Sequence, residues 1–293
     1  MKNFVNTKFV IAIMMVASGL SLISCHREED STEQKFNDNF VAIDVSNVGK
    51  INKENLVTNK SSSNVLRSKY TTLYYYYQYN DNPGANYCGP TSYMVATKSV
   101  AAYNGISYTM NKTNQLAIAS YTGASPSPYN LFNHWNQSSN GYKTYMTCNY
   151  ARGSNTHPNN VNETTRTNIK AFIENSLAAG KLIIMPVKIK PGNLNKSYND
   201  GTISGSSSSE INNYISKYGN AGHYIVLYGL DRSYNADGYS IGTAYYLDVY
   251  HPDAAGATKT VNYLRLLDAN VAASSSGSIY SAMWFGDPYI SLY

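Results

Sequence analysis

The chain lacks most of what would tie it to several common functions. Of its 293 residues only three are cysteine, Cys25, Cys88 and Cys148. That is too few for a small domain held together by disulfides. Tryptophan occurs twice, at Trp135 and Trp284, and both are expected in the core. Charged residues make up 14% of the chain, and no basic stripe is interleaved with aromatics, so nucleic acid is not indicated as a partner. His134 and His157 lie in polar stretches without ligand spacing to each other or to Cys148. No metal and no cofactor is therefore expected. The apolar run Phe9–Ile23, FVIAIMMVASGLSLI, falls short of the roughly 20 residues that span a bilayer. No internal repeat is found, and the length suits one large domain or two small ones.

What is present begins at the N-terminus. Lys2 and Lys8 precede the apolar run, which has the length and flanks of a signal-peptide core. It ends in Leu22-Ile23-Ser24-Cys25, which resembles the lipobox of bacterial lipoproteins. The resemblance implies cleavage before Cys25, acylation of its thiol and anchoring to a membrane through the lipid. Residues 1–24 would be the signal peptide. The cluster Glu28-Glu29-Asp30 resembles the surface-export signal of Bacteroidetes lipoproteins, or is simply a solvated charge run on a tether. His26 stands where Asp would mark inner-membrane retention, so the outer membrane is the expected destination. The net charge of +5 falls by two once Lys2 and Lys8 leave.

Residues 25–69 read as the lipidated Cys and a polar tether, with one short strand at Phe40–Val45 and a propeptide as the weaker reading. Aromatics thicken abruptly at Tyr70, where the domain 70–293 is expected to start. Tyrosine is the unusual count, 29 against 7 Phe, and a surface rich in Tyr, Asn and Ser suits an exported protein. The pattern predicts a helix over Cys88–Tyr103, stopped by Asn104-Gly105. A second helix is expected within 159–179, capped by Asn162, with Ile169, Phe172, Ile173 and Leu177 as its apolar face and Gly180 as its stop. Strands are expected at 181–190, 223–230 and 244–250, a long loop over 191–221, a short helix at 263–269 and a last strand near 280–285. Helices first and antiparallel strands later make an α+β domain.

Two segments carry the chemistry. In the first, Gln78 precedes Cys88-Gly89-Pro90-Thr91-Ser92 by ten residues. Cys88 stands at a helix N-terminus, where the dipole favours thiolate. In the second, Gly222-His223-Tyr224-Ile225-Val226, His223 opens a buried strand, where an imidazole could take the proton of a nearby thiol. The Gln78 amide and the Cys88 backbone N–H could donate to a developing oxyanion. Cys88 and Cys148 could instead form one disulfide, but the residues around Cys88 favour a free, reactive thiol. The active form is expected to carry no such bridge.

Gln…Cys-Gly-Pro-Thr-Ser before a helix, then Gly-His-Tyr-Ile-Val on a strand, resembles the papain-like cysteine peptidases, most nearly the bacteriocin-leader-peptidase-like group. The step FIENSLAAGKLIIMPV resembles that group too, and the match runs from about Tyr74 to Gly286. It implies a helical lobe and an antiparallel sheet lobe with the cleft between them. Cys88 would be the nucleophile, His223 the general base and then acid, and Gln78 the oxyanion donor. In that family an Asp or Asn at the end of the next strand orients the His. Here the strand reads Tyr245-Tyr246-Leu247-Asp248-Val249-Tyr250-His251-Pro252-Asp253. Alternation, with Leu247, Val249 and His251 on the face of His223, ranks His251 first, Asp253 second and Asp248 last.

The expected function is an envelope-anchored cysteine peptidase, a monomer, acting on a peptide or protein through an acyl-enzyme. Alternatives are an amidase, isopeptidase or acyl transferase on wall peptides with the same site, and an inactive surface binding lipoprotein on a peptidase fold.

Overall fold

In a computed structural model, residues 40–46, 65–78, 87–123, 126–135, 147–152, 163–189, 221–232, 242–273 and 281–286 are described. The lipobox, Asn162, His157 and the loop 191–220 lie outside them. The elements run β1 (Val41–Asp44), β2 (Val65–Arg67), β3 (Thr72–Tyr75), α1 (Cys88–Tyr103), α2 (Lys112–Thr122), α3 (Pro128–Trp135), β4 (Thr147–Arg152), α4 (Glu163–Ala178), β5 (Leu182–Ile189), β6 (Ala221–Asp231), β7 (Thr243–Asp248), β8 (Thr258–Asn262), α5 (Tyr263–Ala273) and β9 (Ser281–Gly286).

The fold is α+β. One antiparallel sheet runs β4-β9-β5-β6-β7-β8, with β2 paired to the far end of β6. A small ribbon, β1-β3, stands apart from it. Both faces of the sheet are covered, so its strands are nearly continuous apolar runs. Val95, Ala96, Val100, Ile118, Leu131 and Trp135 of α1–α3 pack with Tyr224, Val226, Tyr245 and Leu247 on one face. Ile169, Ile173 and Leu177 of α4 and Leu266 and Leu267 of α5 pack with Ile225, Leu227 and Tyr246 on the other. The face read from the i, i+4 spacing of α4 is the one it buries.

Many tyrosines go inward rather than to the surface. Tyr70, Tyr76, Tyr93, Tyr224, Tyr246 and Tyr263 are among the largest fully buried side chains. A buried phenol needs a partner for its hydroxyl, and Tyr224 donates to the Pro126 carbonyl at 2.6 Å.

The folded body starts before Tyr70. Val65–Arg67 pair with β6, and the backbone N–H groups of Ser68 and Lys69 donate to the carbonyls of Tyr228 and Gly180 at 2.8 and 3.0 Å. A strand does lie within the tether, at Val41–Asp44, paired in register with β3. Phe40 stacks edge-on against Tyr74 beside it. The boundary at residue 70 is therefore too late, because unpaired strand edges in 41–44 and 65–67 find partners on the body.

Candidate active site

The first turn of α1 is met by Tyr224 of β6 and, through Gln115, by the Gln78 segment. Helix α1 opens at Cys88 after Tyr87, with Pro90 in its first turn, where the missing N–H costs nothing. It is buried along almost its whole length, and Cys88 itself is 1% exposed. The small residue after Cys88 matters. A Cβ on Gly89 would sit 2.8 Å from Pro126 Cγ and 3.3 Å from the Tyr224 ring. The backbone after Cys88 therefore runs against the side chain that follows His223.

The expectation of a free thiol at Cys88 is not met: Cys88 is disulfide-bonded. The chain holds two other cysteines, Cys25 and Cys148.

His223 lies on β6 opposite Val187, 1% exposed. Its Nε2 is 2.8 Å from Asp248 Oδ1, and Asp248 is also 1% exposed. The same Oδ1 accepts the Tyr250 backbone N–H at 2.9 Å. Burial alone would push the Asp248 carboxyl up. The charge and hydrogen bond of His223, the Tyr250 N–H and the charge of Lys259 outweigh it and hold the carboxyl below its ordinary value.

This reverses the ranking drawn from alternation. At the far end of the ladder Gly229 pairs with Tyr245, a register that would bring His223 opposite His251. A bulge between Leu227 and Gly229 adds one residue to β6, and Ile225 then faces Asp248. The shift by one residue exchanges the faces of β7 relative to the start of β6. Asp248 lands on the face of His223, one diagonal step away. His251 is turned to other work: its Nδ1 lies 2.8 Å from the Asp253 carbonyl oxygen, and its ring lies where a side chain on Gly256 would be. Asp253 is exposed in the same turn and caps Ala255 N–H at 3.0 Å. Neither is joined to His223 by any hydrogen bond described. The sequence carries a signal for the bulge, since a glycine inside a strand, here Gly229, often marks one.

Gln78 follows β3 and is fully buried. Its backbone N–H donates to the Val249 carbonyl at 2.9 Å, next to Asp248. Its carbonyl accepts from Gln115 Nε2 at 3.1 Å, and the same nitrogen donates to Thr91 Oγ1 at 2.7 Å. Among the described residues, neither polar atom of the Gln78 side chain has a partner.

Among the described residues no group of His, Cys, Asp and Glu is arranged to hold a metal ion, and no helix is long and apolar enough to cross a membrane. His134, on α3, lies 3.2 Å from the Tyr93 hydroxyl, and burial lowers its pKa. Trp135 is core, as expected.

The site therefore comprises a buried His–Asp pair on β6 and β7, and the neighbouring Tyr224 ring borders the first turn of α1. No family model and no curated protein matches the chain. Among solved structures it is similar to one described as "Crystal structure of UfSP from C. elegans", at 7% identity and a TM-score of 0.42. The likeness covers 88% of this chain but 39% of that one, and says nothing about activity.

Proposed function

We propose that the chain is a cell-envelope thiol hydrolase that cleaves peptide bonds, anchored to the outer membrane through a lipid on Cys25. The His223–Asp248 pair carries this reading. Two ionisable groups, each 1% exposed and 2.8 Å apart, are a costly arrangement for a core. His223 lies one residue from the tyrosine whose ring borders Gly89 of the Cys88 helix. With Nε2 held by Asp248, Nδ1 is the nitrogen that would take the Cys88 proton. The thiolate would attack the carbonyl carbon, the electron pair would move to the oxygen, and His223 would return the proton to the leaving amine. Water, deprotonated by the same imidazole, would then release the acyl group. Gln78 and the Cys88 N–H would receive the oxyanion.

The disulfide makes the described state a resting form. An external dithiol must supply two electrons and two protons to free Cys88 and its partner sulfur. The test is hydrolysis of a denatured proteome, and alkylation of Cys88 by iodoacetamide, with and without dithiol. Activity is expected only after reduction, lost in Cys88→Ala and His223→Ala, with cut sites read by mass spectrometry.

The disulfide also favours a second reading, a surface binding lipoprotein on an inactive peptidase fold, in which Cys88 is structural. A reduced protein whose Cys88 alkylates no faster than a free thiol, with no cleavage products, would support it.

A further inference from the structure

We infer that Gln115 is a positioning residue that fixes the Gln78 oxyanion donor to the helix of the nucleophile; this rests on the function proposed above. Gln115 lies on α2, away from both segments that carry the site in sequence. It is fully buried, and its amide nitrogen makes two hydrogen bonds, to the Gln78 carbonyl and to Thr91 Oγ1. Thr91 in turn donates to the Tyr87 carbonyl at 2.6 Å, the residue just before Cys88. On its other side the Gln78 N–H is bound to Val249, the neighbour of Asp248. An unbroken set of hydrogen bonds thus runs from the first turn of α1 through Thr91, Gln115 and Gln78 to the end of β7.

The Gln78 segment belongs to no ladder, since β3 ends at Tyr75. Its backbone is placed by these two bonds, one on each side. The side chain they place is a buried primary amide with no partner among the described residues. A buried polar group left unmatched is expected where its partner forms only during the reaction. An amide NH2 uses two protons, and Gln115 uses both on the brace, so shortening it or replacing it by a hydrocarbon releases Gln78 from α1. The imidazole pair is untouched by that change.

The experiment uses the full chain in detergent, reduced by dithiol, with fluorescein-labelled casein as substrate. Three quantities are read: turnover, the affinity for a peptide aldehyde, whose adduct with Cys88 carries an oxyanion, and the rate of Cys88 alkylation by iodoacetamide. In Gln115→Met, kcat is expected to fall about a hundredfold, with KM and the alkylation rate unchanged and aldehyde affinity falling with kcat. Thr91→Ser keeps the hydroxyl and is expected to match the wild type, while Thr91→Val follows Gln115→Met. The Thr91 pair decides the matter if Gln115→Met does not fold. Wild-type turnover in Gln115→Met and Thr91→Val overturns the role of Gln115 alone. So does an alkylation rate that falls as far as kcat, since the fault would then lie at the dyad. Reduced wild type that neither cleaves casein nor binds the aldehyde overturns the proposed function and this inference together.

Discussion

Removing the Asp248 carboxylate should separate its structural work from its chemical work. In Asp248→Ala, the buried His223 Nε2–H and the half-buried Tyr250 N–H lose their common acceptor. A buried unsatisfied donor costs about 1–3 kcal/mol and a half-buried one less, so the variant should be less stable by roughly 1–4 kcal/mol. Asp248→Asn is the sharper probe. One amide oxygen can accept both hydrogen bonds, as the single Oδ1 does now, so the loss should be limited to the charge. That charge favours an imidazolium, and a protonated His223 is needed to hold a thiolate. Asp248→Asn should therefore fold and yet alkylate more slowly at Cys88 after reduction, with turnover lower by roughly 10²–10⁴. The measurements are urea unfolding and the pH profile of iodoacetamide reaction. Because the folded Asp248 carboxyl lies below its unfolded value, its contribution to stability is complete above the unfolded value, near pH 4, and fades as pH falls through the folded one. Asp248→Asn should lose that acid-sensitive portion. If Asp248→Ala keeps wild-type stability and alkylation while His251→Ala loses both, the bulged register of β6 against β7 is wrong.

Three further outcomes are expected. Gly256→Ala must displace the His251 ring, which lies within van der Waals distance of any added carbon, yet stability should change by only about 1–3 kcal/mol and alkylation of reduced Cys88 not at all; a lost alkylation rate would return His251 to the site. Ile173→Ala opens a cavity between α4 and the sheet, and a cost of about 2–5 kcal/mol should appear in urea unfolding without altering the rate at Cys88. Cys25→Ser should move the protein from the membrane to the soluble fraction and abolish incorporation of labelled palmitate, whereas retention in the membrane would refute the lipid anchor.

The legible parts of this chain are those where a local rule meets no competitor. Helix α1 is readable to the residue because Gly89-Pro90 and Asn104-Gly105 punctuate both its ends. The buried strands β5, β6 and β7 announce themselves by branched and aromatic runs. Helix α2 does not emerge from the pattern. Its sequence, KTNQLAIASYT, is mostly polar, and the one clear cue is Asn111, whose side chain accepts the Asn114 N–H at 3.0 Å. The identity of the imidazole's partner turns on one inserted residue, because strand parity is blind to a bulge further along the strand. Gln115 has no signal at all: a lone glutamine on a polar helix looks solvated until the fold buries it. The disulfide is equally hidden, since residues that suit a reactive thiol say nothing about which sulfur comes to rest beside it.

If Cys25 carries the proposed lipid, pairing of β1 with β3 sets how far the body could stand from a bilayer. Were residues 25–69 a free leash, about 45 residues could extend to roughly 150 Å. With Val41–Asp44 held against β3, only about 15 residues separate Cys25 from the first paired strand. Fully stretched they span about 50 Å, and as a flexible coil roughly 20 Å. A lipid on Cys25 would then hold the body close to the headgroups. Its substrates would be those that come within a few nanometres of that surface.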